Sequence, residues 1–594
     1  MRQASFLRFG LGFGLGFALC VAAANVSAQT DIPPELIRYP DTILHNGKIL
    51  TVDENFRIAE AVAIRDGMFL AVGTNQDVLR LRGPATRMID LQGKTTIPGF
   101  VGTDADNDFV GGNLYKDTVI GGKVLGTLRD VTNKEQILAK VREVIASRPR
   151  GETIFLRLPD EGADGMRLTK ADIDPLSPNH PLALNVTSFD MVVNSLMLEK
   201  VVALLPGGVN HPSVVKDAQG RPNGQIFGHA MGVAGWDLRP WPVIDDAVLA
   251  EQKQMLHDLN RKGITTMVAH LQGFNLTVLN VLYHNDELTM RVFATHDFLR
   301  QNPNSEAYLR RLGNLVDFGL GDMVRIVGAG LAAMDGNADS GSALTIDPKL
   351  RSGGIAFGPN GQNTWIGFGP HNNAWSTNQI PKELTEWNNV RQAIKHGWNT
   401  TGIHNVGDQS TEIWLQTIED AMKQTDIKLR PQWRPFGLDH NLFWNPQSFS
   451  KIEELDFRRG LGKMFQRPEV AVELYGDRIH DAQPVPELIA RGFKVHIEGT
   501  DPFGELERYI TRRDAEGRTW GPDYAVDRPT ALRMKTIWAA RYIAEDKTLG
   551  SIERGKKADL AVLGADFLTV REDDIEKIPV VMTVVGGKIV YEGQ

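Results

Sequence analysis

The residues of this chain that are best suited to chemistry are three aspartates and one histidine. Asp104 and Asp106 are separated by one residue, so both carboxylates would point to the same face of an extended strand. His404 and Asp501 each come at or just after the end of an apolar, strand-like run. Carboxylates together with an imidazole are ligands that suit one divalent cation, such as Zn or Mn. We therefore predict Asp104, Asp106, His404 and Asp501 as metal ligands.

Asp501 is also the predicted general base. It would take a proton from water, while His404 binds the metal or steadies an oxyanion and Arg325 stabilises negative charge. The predicted catalytic residues are therefore Asp501, His404 and Arg325. A second group, predicted to contact the substrate, consists of His371, Arg434, His270 and His296.

Other interpretations of the same residues stay open. Asp104 and Asp106 could cap a loop, because Asp is a common turn residue. Arg325 could neutralise this carboxylate pair in place of a cation. In a metal-free version, Asp501 would act as the base, while His404 and an arginine supply the acid and the electrostatic stabilisation.

These side chains must be positioned by strands that alternate with helices. Such alternation is typical of a parallel α/β architecture, and eight strands fit a (β/α)8 barrel that places functional groups at the C-terminal ends of its strands. The distance between the first two strands is too long for one crossover, so we predict an insertion near residues 111–245 within a barrel of residues 97–548. The predicted strands are Ile97–Val101, Ile264–Ala269, Met290–Thr295, Met323–Gly328, Asn399–Ile403, Arg430–Phe436, Leu461–Phe465 and Phe493–Gly499.

The two ends of the chain are rich in strand and turn signals. Residues 41–96 contain Asn-Gly and Asp-Gly pairs between runs of β-forming residues, and residues 549–594 contain two such runs around a Gly-Gly pair. These are hairpin signals. We predict that the two ends pair into one small sheet domain.

Composition limits the compartment and the partners. A formal charge of −8 argues against a nucleic-acid binder. The first 28 residues contain two arginines, then a short apolar run, then a Val-Ser-Ala cleavage pattern. This order predicts a signal peptide. We therefore expect a periplasmic or secreted protein that has no membrane segment after cleavage. The single cysteine, Cys20, lies inside that peptide, so the mature chain has no thiol chemistry.

Several motifs resemble the amidohydrolase superfamily, and within it the amidohydrolase-3 branch that contains the N-substituted formamide deformylases. The most specific match is Leu549-Gly-Ser-Ile-Glu-Arg-Gly-Lys-Lys-Ala-Asp-Leu-Ala-Val-Leu563, and Gly93-Lys-Thr-Thr-Ile-Pro-Gly-Phe100 is similar to the entry into the first barrel strand. The resemblance implies a (β/α)8 barrel with a β-sandwich built from both chain ends. It also implies a hydrolase that acts on the C–N bond, of amide or formamide type, or a related bond of a small molecule.

The chain departs from the family at the metal ligands. None of its 14 histidines forms the His-x-His pair that usually follows the first strand, and Arg325 stands where the family often has a lysine. Trp433-Arg434-Pro435 is aligned with the Glu-His pattern of the sixth strand. We therefore expect an atypical metal site that holds either one divalent metal or none. A metal-independent hydrolase or lyase, a binding protein without turnover, and pairing into a homodimer stay open.

Overall fold

The core of the molecule is a sheet of eight parallel strands. The computed structural model describes residues 38–593 with gaps, of which those of five residues or more are 113–117, 159–167, 334–345, 347–384, 425–435 and 463–471. We number the strands of this sheet β1 to β8 in chain order. They are β1 Phe100–Gly102, β2 Ile264–Leu271, β3 Arg291–Asp297, β4 Val324–Gly330, β5 Thr400–Asn405, β6 Phe436–His440, β7 Arg458–Leu461 and β8 His496–Ile497.

The first and last of these strands meet, so the sheet curls into a barrel. Neighbours follow the chain order from β1 to β8. Just beyond their ends, Gly499 donates its N–H to the carbonyl oxygen of Thr103 at 3.0 Å. The predicted parallel α/β barrel therefore describes this part of the chain, and β2 to β5 lie within two residues of their predicted bounds.

Two barrel strands differ from the prediction in a way that matters for the site. The sixth strand was expected over Arg430–Phe436; residues 425–435 lie outside the described residues, and the described strand β6 is Phe436–His440. The C-terminal end of β6 is formed by Asp439 and His440. The expectation that the sixth strand has no histidine at this end was therefore wrong. β7 likewise begins three residues earlier than expected.

Helices follow the barrel strands and cover the sheet. The helix that precedes β2 is capped by Asp245, whose side chain accepts the N–H of Val248 at 3.0 Å. Among the residues that the structure describes, no helix combines the length and hydrophobicity that crossing a bilayer requires. The helices around the barrel are Asp246–Asn260, Gly273–His284, Ser305–Arg311, Thr385–Lys395, Asp408–Lys423, Phe449–Glu454, Val485–Ala490, Pro502–Thr511, Arg528–Lys535 and Ile537–Tyr542.

The last of these helices packs against buried residues of the barrel strands. We call Ile537–Tyr542 the floor helix. Its residues Ala539, Ala540 and Tyr542 share one hydrophobic cluster with buried residues of the barrel strands, including Val268 and Phe293. The floor helix and the barrel strands therefore share a continuous hydrophobic cluster.

A second sheet lies between β1 and β2 in the sequence. It has seven strands, and its two hydrophobic clusters are separate from the main cluster of the barrel. Its helices are Lys134–Ala146, Lys170–Ile173, Ser195–Leu204 and Gly228–Gly232. Its strands are Thr118–Ile120, Lys123–Gly126, Ile154–Arg157, Leu182–Asn185, Asp190–Val193, Val214–Lys216 and Pro222–Phe227.

The chain ends contribute two further sheets. One has six strands and joins N-terminal to C-terminal segments, since Thr95–Pro98 pairs with Leu560–Leu563. Packing of the end segments as a β-sandwich stays a prediction. The strands of the six-stranded sheet are Lys48–Leu50, Ile58–Ala59, Thr95–Pro98, Leu560–Leu563, Val580–Val585 and Lys588–Glu592, and those of the four-stranded sheet are Thr42–His45, Ala61–Arg65, Met68–Gly73 and Arg87–Asp90.

A buried ion pair links the barrel to the end sheet. The guanidinium of Arg291, at the start of β3, bonds Asp559 with Nε at 2.6 Å and Nη2 at 3.1 Å. Both side chains are almost fully buried. Asp322 also lies 2.7 Å from Arg291, so one arginine is held by two carboxylates.

Candidate active site

Three potential ligands come together at the C-terminal end of the barrel. Asp104, His440 and Glu498 each offer one donor atom, and these atoms all lie within 4.8 Å of one another. Glu498 holds His440 twice: Oε1 accepts the backbone N–H and Oε2 bonds the ring atom Nδ1, both at 2.7 Å. We call Asp104, His440 and Glu498 the acidic cluster.

Local backbone geometry places these side chains. Asp104 has a φ of 54° and His440 a φ of 73°, conformations that non-glycine residues seldom adopt. Such strained positions are held only where the surrounding structure fixes them, and they are common at functional sites. Gly460 on β7 provides the space for Glu498, because a Cβ at that position would lie 1.9 Å from Oε1.

His404, at the end of β5, completes the surroundings of the acidic cluster. Its ring meets the ring of His440 edge to face, with centroids 4.3 Å apart. Burial by itself would lower the pKa of His440, but the carboxylates of Glu498, Asp104 and Asp439 outweigh this effect and raise the pKa to about 10. The ring of His440 thus sits in a strongly negative environment.

A second set of charged groups lies directly beside the acidic cluster inside the barrel. Asp106 accepts the backbone N–H of His270 at 2.7 Å. The ring of His270 bonds Thr295 through Nδ1 at 2.5 Å, and its Nε2 lies 3.7 Å from Oδ2 of Asp439. Burial raises the pKa of Asp106 to about 6. Burial opposes a charge on His270, but Asp106 and Asp439 outweigh it and raise its pKa to about 9.

The floor helix reaches this network through one side chain. The hydroxyl of Tyr542 donates to Oδ1 of Asp439 and accepts the backbone N–H of Gly402 at 2.8 Å. The ring of His496 lies against Tyr542, with centroids 4.3 Å apart, and its Nε2 is 3.2 Å from Oγ1 of Thr103. Burial lowers the pKa of His496 to about 3, so this ring is neutral.

Comparison with known proteins decides the family. A model of the amidohydrolase family matches residues 87–591. The chain belongs to the amidohydrolase family. This membership confirms the prediction of a hydrolase that acts on carbon–nitrogen bonds other than peptide bonds.

Two relatives of this amidohydrolase are similar over almost their whole length. The N-substituted formamide deformylase of Arthrobacter pascens is 24% identical, over 93% of this chain and 98% of the relative. The protein YtcJ of Bacillus subtilis (strain 168) is 25% identical, over 93% of this chain and 99% of the relative. A solved structure of an uncharacterized metal-dependent hydrolase from Pyrococcus horikoshii shares the fold, with a TM-score of 0.60, 18% identity, and coverage of 90% of this chain and 99% of that one.

Of the predicted metal ligands, the structure brings together some but not all. Asp104 belongs to the acidic cluster and His404 contacts it, whereas Asp106 lies in the neighbouring network with His270. Asp501 caps the helix that follows β8. Its side chain is 60% exposed and lies 3.6 Å from Nη2 of Arg508. The described geometry therefore does not place Asp501 in the acidic cluster.

The other predicted residues are further apart. Arg325 is the second residue of β4, at the N-terminal end of the barrel, where Nη1 bonds Glu545 at 2.8 Å. It thus lies at the end of the barrel opposite the acidic cluster. The ring of His296 contacts that of Trp398 at 6.2 Å, and burial lowers its pKa to about 4. His371 and Arg434 lie outside the described residues.

Sequence reasoning missed two members of the acidic cluster. Glu498 was taken as part of the eighth strand, and His440 was placed beyond the sixth strand. The Asp439-His440 pair directly after Phe-Gly-Leu is the signal that could have found His440, since it occupies the place of the Glu-His pattern once β6 is shifted past Pro435.

Proposed function

We propose that this amidohydrolase hydrolyses an amide or formamide C–N bond of a small molecule at the acidic cluster. The observation that supports this proposal is the convergence of Asp104, His440 and Glu498 at the C-terminal end of the barrel strands, where enzymes of this architecture place their active sites. The formamide class is suggested by the printed name of the relative from Arthrobacter pascens.

The donor set suits one divalent cation. Two carboxylates and one imidazole within 4.8 Å offer oxygen and nitrogen ligands without sulfur, a set that Zn and Mn accept. Asp104, His440 and Glu498 would hold the ion, with His404 beside it. When bound, the ion would supply Lewis-acid polarisation of the substrate carbonyl and would lower the pKa of water.

Glu498 is the proton acceptor that the geometry favours. In the reaction, the oxygen of water bonds to the carbonyl carbon and the C–N bond breaks, while one proton of the water passes to the leaving nitrogen. When Glu498 acts as the acceptor rather than as a ligand of the ion, its Oε2 atom can receive this proton and return it, and the contact with Nδ1 of His440 fixes the carboxylate in place. Asp501, the base predicted from sequence, is the alternative carboxylate on the same turn.

A matched pair of variants tests these roles. Glu498→Gln and Asp501→Asn each remove one negative charge from the turn after β8 and keep the shape of the side chain. We expect Glu498→Gln to lower kcat/KM for N-substituted formamides at least 100-fold and Asp501→Asn to lower it less than threefold. Equal activity of Glu498→Gln and the wild type would refute the proposed base, and a large loss in Asp501→Asn alone would reinstate the sequence prediction.

Metal dependence is tested on the same protein. Protein purified without chelator is expected to contain one Zn or Mn per chain, to lose activity in excess chelator and to regain it when the metal is returned. Full activity in excess chelator would favour the metal-independent hydrolase or lyase. Metal without turnover on any amide, formamide, lactone or aryl ester would favour a binding protein.

We also propose that the protein works outside the cytoplasm on a small molecule. The predicted signal peptide, residues 1–28, lies outside the described residues. Mass spectrometry of the secreted or periplasmic protein is expected to find Gln29 at the mature N-terminus. An intact Met1 in the exported fraction would contradict the predicted cleavage, and light scattering would decide between a monomer and the homodimer that stayed open.

A further inference from the structure

Tyr542 is a buried side chain that connects the floor helix to the polar layer of the barrel. It is only 2% exposed, although tyrosine carries a polar hydroxyl. That hydroxyl has a partner on each of two neighbouring strands: it donates to Asp439 on β6 and accepts from Gly402 on β5. A buried hydroxyl with both a donor and an acceptor contact is fixed in rotation as well as in position.

The barrel wall is built to admit this side chain. A Cβ at Gly437 would lie 2.7 Å from Cε2 of Tyr542. A Cβ at Gly402 would lie 1.5 Å from Cε1 of His270. Two glycines on adjacent strands therefore provide the space in which Tyr542 and His270 both approach Asp439.

Asp439 is the point where these contacts meet. One carboxylate oxygen accepts from Tyr542, and the other lies 3.7 Å from Nε2 of His270. Asp439 also immediately precedes His440, whose backbone N–H and ring are held by Glu498. Two sets of contacts therefore hold the end of β6. The hydroxyl of Tyr542 bonds Asp439, and the carboxylate of Glu498 bonds His440.

We propose that Tyr542 is a positioning residue that orients His440 and His270 by holding Asp439. Its hydroxyl bonds Asp439 and the backbone of Gly402, so its effect on His440 passes through Asp439. This inference goes beyond the proposed function, and only its metal-binding part rests on that function. Neighbours that orient a metal ligand typically contribute 10–100-fold in metal affinity.

Tyr542→Phe removes the hydroxyl and leaves the ring. The matched control is Thr583→Val, which removes another buried hydroxyl bond, from Oγ1 of Thr583 to the carbonyl oxygen of Asn260 at 2.7 Å, far from the acidic cluster in the sequence and on the end sheet. The first readout is the ring Cε1–H spectrum of metal-free protein labelled only at histidine, with signals assigned from His270→Gln and His440→Gln.

We expect Tyr542→Phe to shift the signals of His270 and His440 and to leave that of His257, an exposed residue, in place. Thr583→Val should leave all three unchanged. Signals of His270 and His440 that coincide with those of the wild type would overturn the proposal. If Tyr542→Phe does not fold, Gly437→Ala crowds the same ring and is judged by the same two signals.

The second readout is Co2+ binding, measured by titration of metal-free protein. We expect Tyr542→Phe and Asp439→Asn each to weaken binding 10–100-fold, and the double variant to be no weaker than the worse single variant within twofold, because both changes act on one pathway. If the loss of Co2+ affinity in the double variant equals the product of the two single losses, the route through Asp439 is overturned. A wild type that binds no Co2+ would refute the proposed metal site, while the histidine spectra would still decide the role of Tyr542.

Discussion

Replacing Gly460 by alanine tests the acidic cluster through its packing rather than through its ligands. The new Cβ would lie 1.9 Å from Oε1 and 2.8 Å from Cδ of Glu498, well inside van der Waals contact. The backbone of Gly460 in β7 cannot retreat without breaking the ladder with β6 and β8. The carboxylate of Glu498 must therefore move, and both of its bonds to His440 are lost or weakened.

The size of the effect follows from those two bonds. Each is 2.7 Å long and involves a charged group, for which a net contribution of about 1.5–3 kcal/mol is typical. Loss of one to two such bonds lowers the free energy of unfolding by about 1.5–6 kcal/mol. Displacement of Glu498 should also lower kcat/KM by at least 100-fold, because His440 loses the partner that fixes its ring.

Urea unfolding and formamide hydrolysis measure the two effects on the same preparation. Gly273→Ala is the matched control, since its Cβ would meet only Trp241, at 3.6 Å, an ordinary contact. It should unfold within about 0.5 kcal/mol of the wild type, as changes that avoid buried contacts usually do. Wild-type stability and activity in Gly460→Ala would refute the placement of Glu498 and, with it, the acidic cluster.

Three further predictions concern buried charges and backbone. Asp559→Asn leaves the buried guanidinium of Arg291 with only Asp322, so the free energy of unfolding should fall by about 3–5 kcal/mol in urea titrations; a loss below 1 kcal/mol would contradict the ion pair. Because the pKa of His270 is raised to about 9, its contribution to stability is complete below pH 6.5 and disappears as the pH rises through 9, and His270→Gln should remove this part of the pH profile. Gly402→Ala should yield little folded protein, since φ is +75° and the Cβ would overlap His270; normal yields would show that the ring lies elsewhere.

The barrel could be predicted from sequence because its strands are buried on both faces. All eight residues of β2 are buried, and such continuous apolar runs are typical of parallel strands. The sixth strand was not placed correctly, because the predicted range Arg430–Phe436 stops short of the described end of β6 at His440. That single error concealed His440.

The site was only partly predictable for a physical reason. Asp104 lies two residues after β1 and His404 lies near the end of β5, so strand bounds suffice to place them. Glu498 and Asp501 lie on one turn, and sequence does not reveal which carboxylate turns inward. Tertiary contacts decide: Gly460 opens a space for Glu498, whereas the backbone N–H of Asp501 bonds Oε1 of Glu505 at 3.1 Å and its carboxylate faces Arg508.

The contact between Thr103 and Gly499 has a consequence for how the protein matures. The strand β1 is synthesised before its barrel neighbour β8, with the seven-stranded sheet and the strands β2 to β7 between them in the sequence. Long-range closure of this kind is slow, because the loop entropy must be overcome before the contact forms. A nascent chain still short of Gly499 lacks the contact with Thr103, so the barrel can close only after β8 has been synthesised.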